Sequence, residues 1–326
     1  MERNCSEYEP FATYWPFHVA ILMQVIFGFV SASLAIPTLV QCKKLYFHVN
    51  CKTLIFAQLV IFFVHSVFII GTQLMHLWKY SFSKSPCDIV TSALTCTILR
   101  FPLTTSFTSF VILQFMMILE RIVATVKRSS YEKTGRSLGI GFTLFALASS
   151  VLLVTWTILP EKFTNVYPYC SSGSNQTINR LSLINMFLCG LCMTSLVGIV
   201  AFKFYNRYAV DRRTYNLRDS FHLRENRHIV QLLFPLVLFQ AGFLLVFTTI
   251  GAILPSFRGS MAPIIFRTAF CATYLIPYYT VVTPLIILAM IRKAQKNNVR
   301  RLDMMRNVSN EKELYFTNYM KIWNRS

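Results

Sequence analysis

Seven long apolar stretches decide what this chain can fold into: residues 17–41, 53–77, 93–121, 138–160, 181–204, 229–254 and 265–291. A helix needs about 20 mostly apolar residues to cross the hydrocarbon core of a bilayer. Within that core only structures that satisfy every backbone N–H and C=O internally are stable, and runs of this length do so as helices. The expected fold is an all-α membrane protein, a seven-transmembrane helix bundle spanning residues 17–291. The stretches are apolar nearly all round, so periodicity does not say which face of each meets protein. They occupy more than half of the 326 residues, leaving a segment 1–16, short loops and a basic tail 292–326. No internal repeat, low-complexity tract or Pro/Gly/Ser linker interrupts them. The start does not read as a signal peptide, because Glu2, Glu7 and Glu9 outnumber Arg3 and the run 17–41 is too long for an h-region.

Composition agrees, with 54% hydrophobic and only 14% charged residues, against about 25% charged in a typical soluble domain. The formal net charge is nonetheless +19, and its distribution is informative. The segment 1–16 and the loops after spans two, four and six hold six of the 32 Lys and Arg residues; the other loops and the tail hold 23. Lys/Arg excess in short loops marks the cytoplasmic face, so the amino terminus is expected outside and the carboxyl terminus inside. A nucleic-acid binder would gather its basic residues on one folded surface, whereas here hydrophobic blocks divide them. Beyond fixing topology, the basic loops suit an intracellular protein partner and anionic membrane lipid. Lys127, Arg212, Arg213, Arg218 and Arg224 are the candidates for that surface. The sequons at Asn4 and Asn175 fall outside on this topology, and those at Asn307 and Asn324 inside.

Of nine cysteines, Cys189, Cys192 and Cys271 lie within spans, and Cys42 and Cys51 lie in a loop on the reducing side. Cys5, Cys87, Cys96 and Cys170 are on the outer side, and four cysteines permit three pairings. Cys96 precedes Arg121 by 25 residues, or about 37 Å of helix, so it sits at the outer rim when Arg121 is at the inner one. A Cys96–Cys170 bridge would staple the loop after span four over the mouth of the bundle, leaving Cys5–Cys87 as a possible second bridge. The Glu120–Arg121 pair at the inner end of span three is a candidate state lock, holding helices together until a change of state releases it. The alternative is an interfacial pair that reaches to water.

Seven spans, an outside amino terminus, Cys96, Cys170 and Glu120-Arg121 together resemble G-protein-coupled receptors. Glu120-Arg121-Ile122-Val123-Ala124-Thr125 followed by Tyr131-Glu132 resembles the signature of nematode serpentine chemoreceptors of the Sra superfamily. Ser85-Pro86-Cys87-Asp88 and Leu99-Arg100-Phe101-Pro102 are similar to patterns of its alpha/beta class. Leu217, Phe221 and Leu223-Arg224-Glu225-Asn226 resemble an element of the superfamily's third inner loop, with Ser220 where Arg is usual and His222 where Gln is. The resemblance runs over essentially the whole chain. It implies a chemosensory receptor in the plasma membrane of a sensory neuron, with a small-molecule ligand and a heterotrimeric G protein as partners. The microswitches of rhodopsin-like receptors do not transfer: span seven has no Asn-Pro-x-x-Tyr and span six no Cys-Trp-x-Pro. Pro235, Pro277 and Pro284 still permit kinks.

Polar side chains inside spans are costly and usually functional. Here they include Gln58, His65, Arg100, Gln114, Asn185, Gln240, Arg267 and Tyr274. Arg100, His65, Gln114, Arg267 and Tyr274 are the ligand-binding candidates; Arg100, one turn below Cys96, would meet an anionic ligand, Glu161 or water. Aromatic richness suits an apolar pocket. No enzymatic motif, cofactor loop or metal-ligand spacing is present, so neither catalysis nor a cofactor is expected. The rival readings are a ligand-gated odorant channel, whose polypeptide would be inverted, and a membrane transporter, which would show repeats and broken helices.

Overall fold

A computed structural model describes residues 6–43, 48–126, 131, 135–170, 174, 176–211 and 217–323; side chains at 206, 209–211, 217–228 and most positions beyond 296 lie outside that description. Among the described residues, seven helical spans are long and apolar enough to cross a membrane. After a single turn, Glu9–Thr13, the chain forms α1 (Trp15–Cys42), α2 (Val49–Phe82), α3 (Ala93–Val126), α4 (Ser137–Ile158), α5 (Ile178–Asp211) and α6 (Leu217–Ile253). The seventh crossing consists of α7 (Pro263–Ala272) and α8 (Ile276–Trp323). Pro16 and Pro263 sit in the first turns of α1 and α7, where a missing N–H costs nothing.

The helices form a ring around α3, which packs on α2, α4, α5 and α6, while α8 closes the ring against α1 and α6. Burial follows from this placement: 67% of the most apolar window of α3 is buried, against 22% of that of α4. The outer faces carry Leu144, Leu152, Met186, Phe187 and Val197, all exposed, as contact with lipid requires. Trp78 and Phe82 are exposed near the end of α2, where amphipathic and aromatic rings favour the membrane interface.

At the centre, the fully buried Tyr279 of α8 meets the rings of Phe62, Phe110, Phe239 and Phe243 at centroid distances of 5.5, 5.6, 6.3 and 5.6 Å. Its hydroxyl accepts a 2.9 Å hydrogen bond from Gln58 Nε2. One residue from each of α2, α3 and α8 and two from α6 therefore share this aromatic contact, which fixes their spacing. Small polar residues tie the neighbouring helices: Ser66 Oγ donates to Ser31 Oγ at 2.8 Å, and Ser31 Oγ to the Thr280 carbonyl at 3.2 Å. Gly139 of α4 lies so close to α2 that a Cβ there would stand 2.8 Å from the Asn50 Cα and carbonyl oxygen.

The stretch 265–291, expected as one span, is two helices separated at Thr273–Leu275. The break falls just before Pro277, which cannot donate to the preceding turn. Helix α6 runs on through Pro235 and α8 through Pro284. Non-helical backbone at membrane depth needs protein partners, and Gln24 Nε2 supplies one by donating to the Cys271 carbonyl at 2.7 Å. The broken helix, a feature expected of a transporter, occurs here without an internal repeat in the sequence.

Candidate functional site

Both ends of α3 carry buried, charged side chains. At one end, Cys96 and Cys170 form a disulfide with Cα atoms 4.9 Å apart. The loop after α4 also pairs with the residues preceding α3: β1 (Thr91–Ser92) runs antiparallel to β2 (Val166–Tyr167), with Thr91 opposite Tyr167. His76 Nε2 accepts from the Cys170 backbone N–H at 3.1 Å, so α2 grips the same loop. Cys87 is disulfide-bonded as well; Cys5, the partner expected for it, lies outside the described residues, as do Asn4 and Asn175.

Beneath the disulfide, Arg100 Nη2 donates to Glu161 Oε2 at 2.6 Å. The carboxylate also accepts from Tyr167 Oη at 2.6 Å and Ser174 Oγ at 2.8 Å. Burial alone would raise the Glu161 pKa, but Tyr167, the Arg100 charge and Ser174 outweigh it and hold the carboxyl below the usual range. Glu161, one of the partners expected for Arg100, is thus in place.

Three cavities lined by described residues lie at the same end. Two small clefts, of about 40 and 30 Å³, share Phe270 and Tyr274. One reaches Thr104, Phe107, Asn185 and Phe247; the other reaches Gln24, Gln73, Arg100 and Tyr169. Tyr274 stands in the break of the seventh span and its hydroxyl is hydrogen-bonded to His65 Nε2 at 2.8 Å. Gln73 Nε2 donates to Gln24 Oε1 at 2.5 Å and to Tyr169 Oη at 3.0 Å. The Asn185 carbonyl oxygen is buried with no hydrogen-bond partner among the described residues. A wider cavity of about 670 Å³ opens between the segment Glu7–Phe11, β2 and the approach to α7, and Arg267 lines it. Of the five ligand candidates, Arg100, Arg267 and Tyr274 reach cavities. His65 touches one only through Tyr274, and Gln114 is buried with neither amide atom paired among the described residues. Gln24, Gln73 and Arg258 were not singled out from sequence, although two glutamines inside apolar runs are the signal that polar groups in spans provide.

At the opposite end, Arg121 Nε and Nη2 each lie 2.5 Å from a carboxylate oxygen of Glu120. The Tyr131 hydroxyl donates to Glu120 Oε1 and receives a 3.4 Å contact from Arg121 Nη2. Asn50 Nδ2 of α2 reaches the Tyr131 hydroxyl at 3.5 Å, while Asn50 Oδ1 accepts from Gly139 N–H of α4 at 3.0 Å. Burial, then the Glu120 charge, raises the Tyr131 pKa far above its ordinary value, which keeps the phenol a donor. Glu120 and Arg121 are thus neighbours on one helix; α2 and α4 are joined to them through Tyr131 and Asn50. Lys127, Arg212 and Arg213 lie outside the described residues, and the side chains of Arg218 and Arg224 are likewise not described.

The model of the serpentine type 7TM GPCR receptor class ab chemoreceptor family matches residues 2–324. Similar proteins include serpentine receptor class beta-17 of Caenorhabditis elegans, 24% identical over 90% of this chain and 85% of its own length. Serpentine receptor class alpha-11 of the same organism is 19% identical over 100% and 96%, and class alpha/beta-14 is 25% identical over 67% and 58%. With seven apolar helical spans, α3 among them at the centre, and a family match over nearly its whole length, this multi-pass membrane protein belongs to the serpentine receptor class ab chemoreceptors.

Proposed function

We propose that this chain is a plasma-membrane chemosensory receptor that binds an external small molecule and signals through a heterotrimeric G protein. The observation that carries the reading is the cluster of Glu120, Arg121, Tyr131 and Asn50. It buries a charged pair on the central helix and connects it to α2 and α4 through single hydrogen bonds. A displacement of α3 that breaks these hydrogen bonds uncovers Arg121. The disulfide end faces outward on the positive-inside distribution of Lys and Arg, and Asn4 and Asn175 are then available for glycosylation. A ligand in the clefts beside Tyr274 and Phe270 acts by population shift, supplying its difference in affinity between two states and no more. Lys127, Arg212, Arg213, Arg218 and Arg224 form the basic surface that meets the G protein, with Glu120 and Arg121 as the state lock.

Ligand-evoked calcium or cAMP in cells expressing the chain, with and without Arg121→Ala, tests this reading. The expected result is a response that requires a G protein and is lost in the variant. A response independent of any G protein, or an amino-terminal tag inaccessible on intact cells, overturns it.

A further inference from the structure

Helix α5 presents a row of polar side chains to α6. Ser182, Asn185 and Cys189 are spaced by three and four residues and so share one face of the helix. Ser182 Oγ donates to the Ala252 carbonyl of α6 at 2.9 Å, and Cys189 Sγ lies 3.5 Å from Thr249 Oγ1. Asn185, between them, is 4% exposed, and its Oδ1 has no hydrogen-bond partner among the described residues. Its amide occupies the space left by Gly251 of α6, where a Cβ would stand 2.8 Å from Nδ2. A buried acceptor left unpaired costs its full desolvation, so this amide weakens the α5–α6 contact that its two neighbours strengthen.

Asn185 and Gly251 both line the cleft of about 40 Å³ beside Tyr274. Thr104 and Thr273 line it too, but their hydroxyls donate to the Arg100 and Ala269 carbonyls at 3.0 and 2.8 Å. Tyr274 Oη is bonded to His65. The rest of the wall includes Phe107, Phe247, Ile250 and Phe270, and no described lining residue is charged. The cleft therefore offers a hydrogen-bond acceptor in an apolar setting. An ion would meet no counter-charge on that wall, and burying it unpaired is costly. A ketone, ether or ester brings acceptors only and leaves Asn185 Oδ1 unpaired. A hydroxyl group brings one donor and no charge. Size sets the remaining limit: at about 10–15 Å³ for each water-sized group, the cleft admits roughly three to four non-hydrogen atoms.

We propose that this cleft binds a short-chain neutral alcohol, its hydroxyl donating to Asn185 Oδ1 and its alkyl body lying against Phe107, Phe247 and Phe270. This ligand class deepens the receptor reading and rests on it for taking the clefts beside Tyr274 as the ligand's place. Asn185 sets the specificity, and Gly251 leaves room for its amide.

The test is saturation-transfer NMR on the purified full chain in nanodiscs, with empty nanodiscs as the background for partition into lipid. The probes are 2-propanol and acetone, which match in size and differ in the donor. 2-Propanol should bind about tenfold tighter than acetone, the size of one hydrogen bond made against one acceptor left orphaned. Asn185→Leu should bring the two probes to equal affinity. Gly251→Ala, whose Cβ displaces the amide, should weaken 2-propanol binding severalfold and stands as an independent check should the leucine variant fail to fold. Equal binding of 2-propanol and acetone to the parent chain overturns the assignment. So does a preference that survives Asn185→Leu, or 2-propanol affinity unchanged by Gly251→Ala. No 2-propanol binding above empty nanodiscs also overturns it, and leaves the cleft to water. The readout needs no G protein. Alcohol binding without evoked signalling therefore removes the proposed function and leaves the site standing. G-protein signalling by another ligand, without alcohol binding, does the opposite.

Discussion

The two ends of α3 each bury a carboxylate against an arginine, yet the pairs do opposite work. Arg100 and Glu161 are 61 residues apart, and Tyr167, Ser174 and the Cys96–Cys170 bridge hold the same loop in place. Glu120 and Arg121 are adjacent on one helix, so their attraction holds no two elements together. What joins them to α2 and α4 is a tyrosine hydroxyl and an asparagine amide. The number of charges is equal, but one end is cross-linked and the other is latched. Long-range closure ties separate elements together, whereas the local pair, among the described residues, reaches α2 and α4 through Tyr131 and Asn50.

Four changes would break or sharpen this contrast. Arg100→Met or Glu161→Met should cost about 3–5 kcal/mol, because each leaves a buried charge unpaired. The double variant should recover most of that loss, read by thermal unfolding of the purified chain. Cys170→Ser should cost about 2–4 kcal/mol and reduce surface expression, while basal signalling per surface molecule stays unchanged. Gly139→Ala should cost about 1–3 kcal/mol by overpacking, since the new Cβ would meet Asn50 backbone at 2.8 Å. This loss would fall at the latched end and raise ligand-free signalling. Tyr131→Phe removes the hydroxyl's bond to Glu120 together with the longer contacts from Arg121 and Asn50, about 1.5–3 kcal/mol and less where water replaces them. It should raise basal signalling a fewfold with little change in unfolding temperature. Equal unfolding penalties at the two ends would erase the distinction.

Acid should separate the ends further. The Glu161 pKa is lowered in the folded chain, so its contribution is complete above the ordinary Glu value of about 4.3. It is lost only as pH falls through the lower folded value. Unfolding temperature should therefore stay flat from neutrality down to the ordinary carboxylate range, and Glu161→Gln should remove the decline below it.

Most of the fold could be read from hydropathy because a bilayer permits few alternatives: each apolar run had to be a helix. The break at Thr273–Leu275 was less visible. Pro277 marks the place, but Gln24, 247 residues from Cys271 in sequence, is what satisfies the opened turn. Single-chain patterning does not report contacts at that separation. Helix length and topology favour Cys96–Cys170 among three pairings, whereas Glu161 could be named only beside a ligand or water as a partner for Arg100. Glu120 and Arg121 stood out as charges at the end of an apolar run. Their link through Tyr131 and Asn50 did not, since a tyrosine in a loop and an asparagine at a helix start have many ordinary uses.

The seventh span also sets a mechanical scale. From the break onward α8 is continuous for 48 residues, about 72 Å at 1.5 Å per residue and more than twice the thickness of the hydrocarbon core. A straight rod of that length, were it to pivot beside Tyr274, would act as a lever arm. A tilt of about 5° at the pivot carries the far tip about 6 Å, roughly one helical pitch. A rearrangement too small to change the number of contacts around Tyr274 is thus large enough, at the other end of the same helix, for another protein to distinguish.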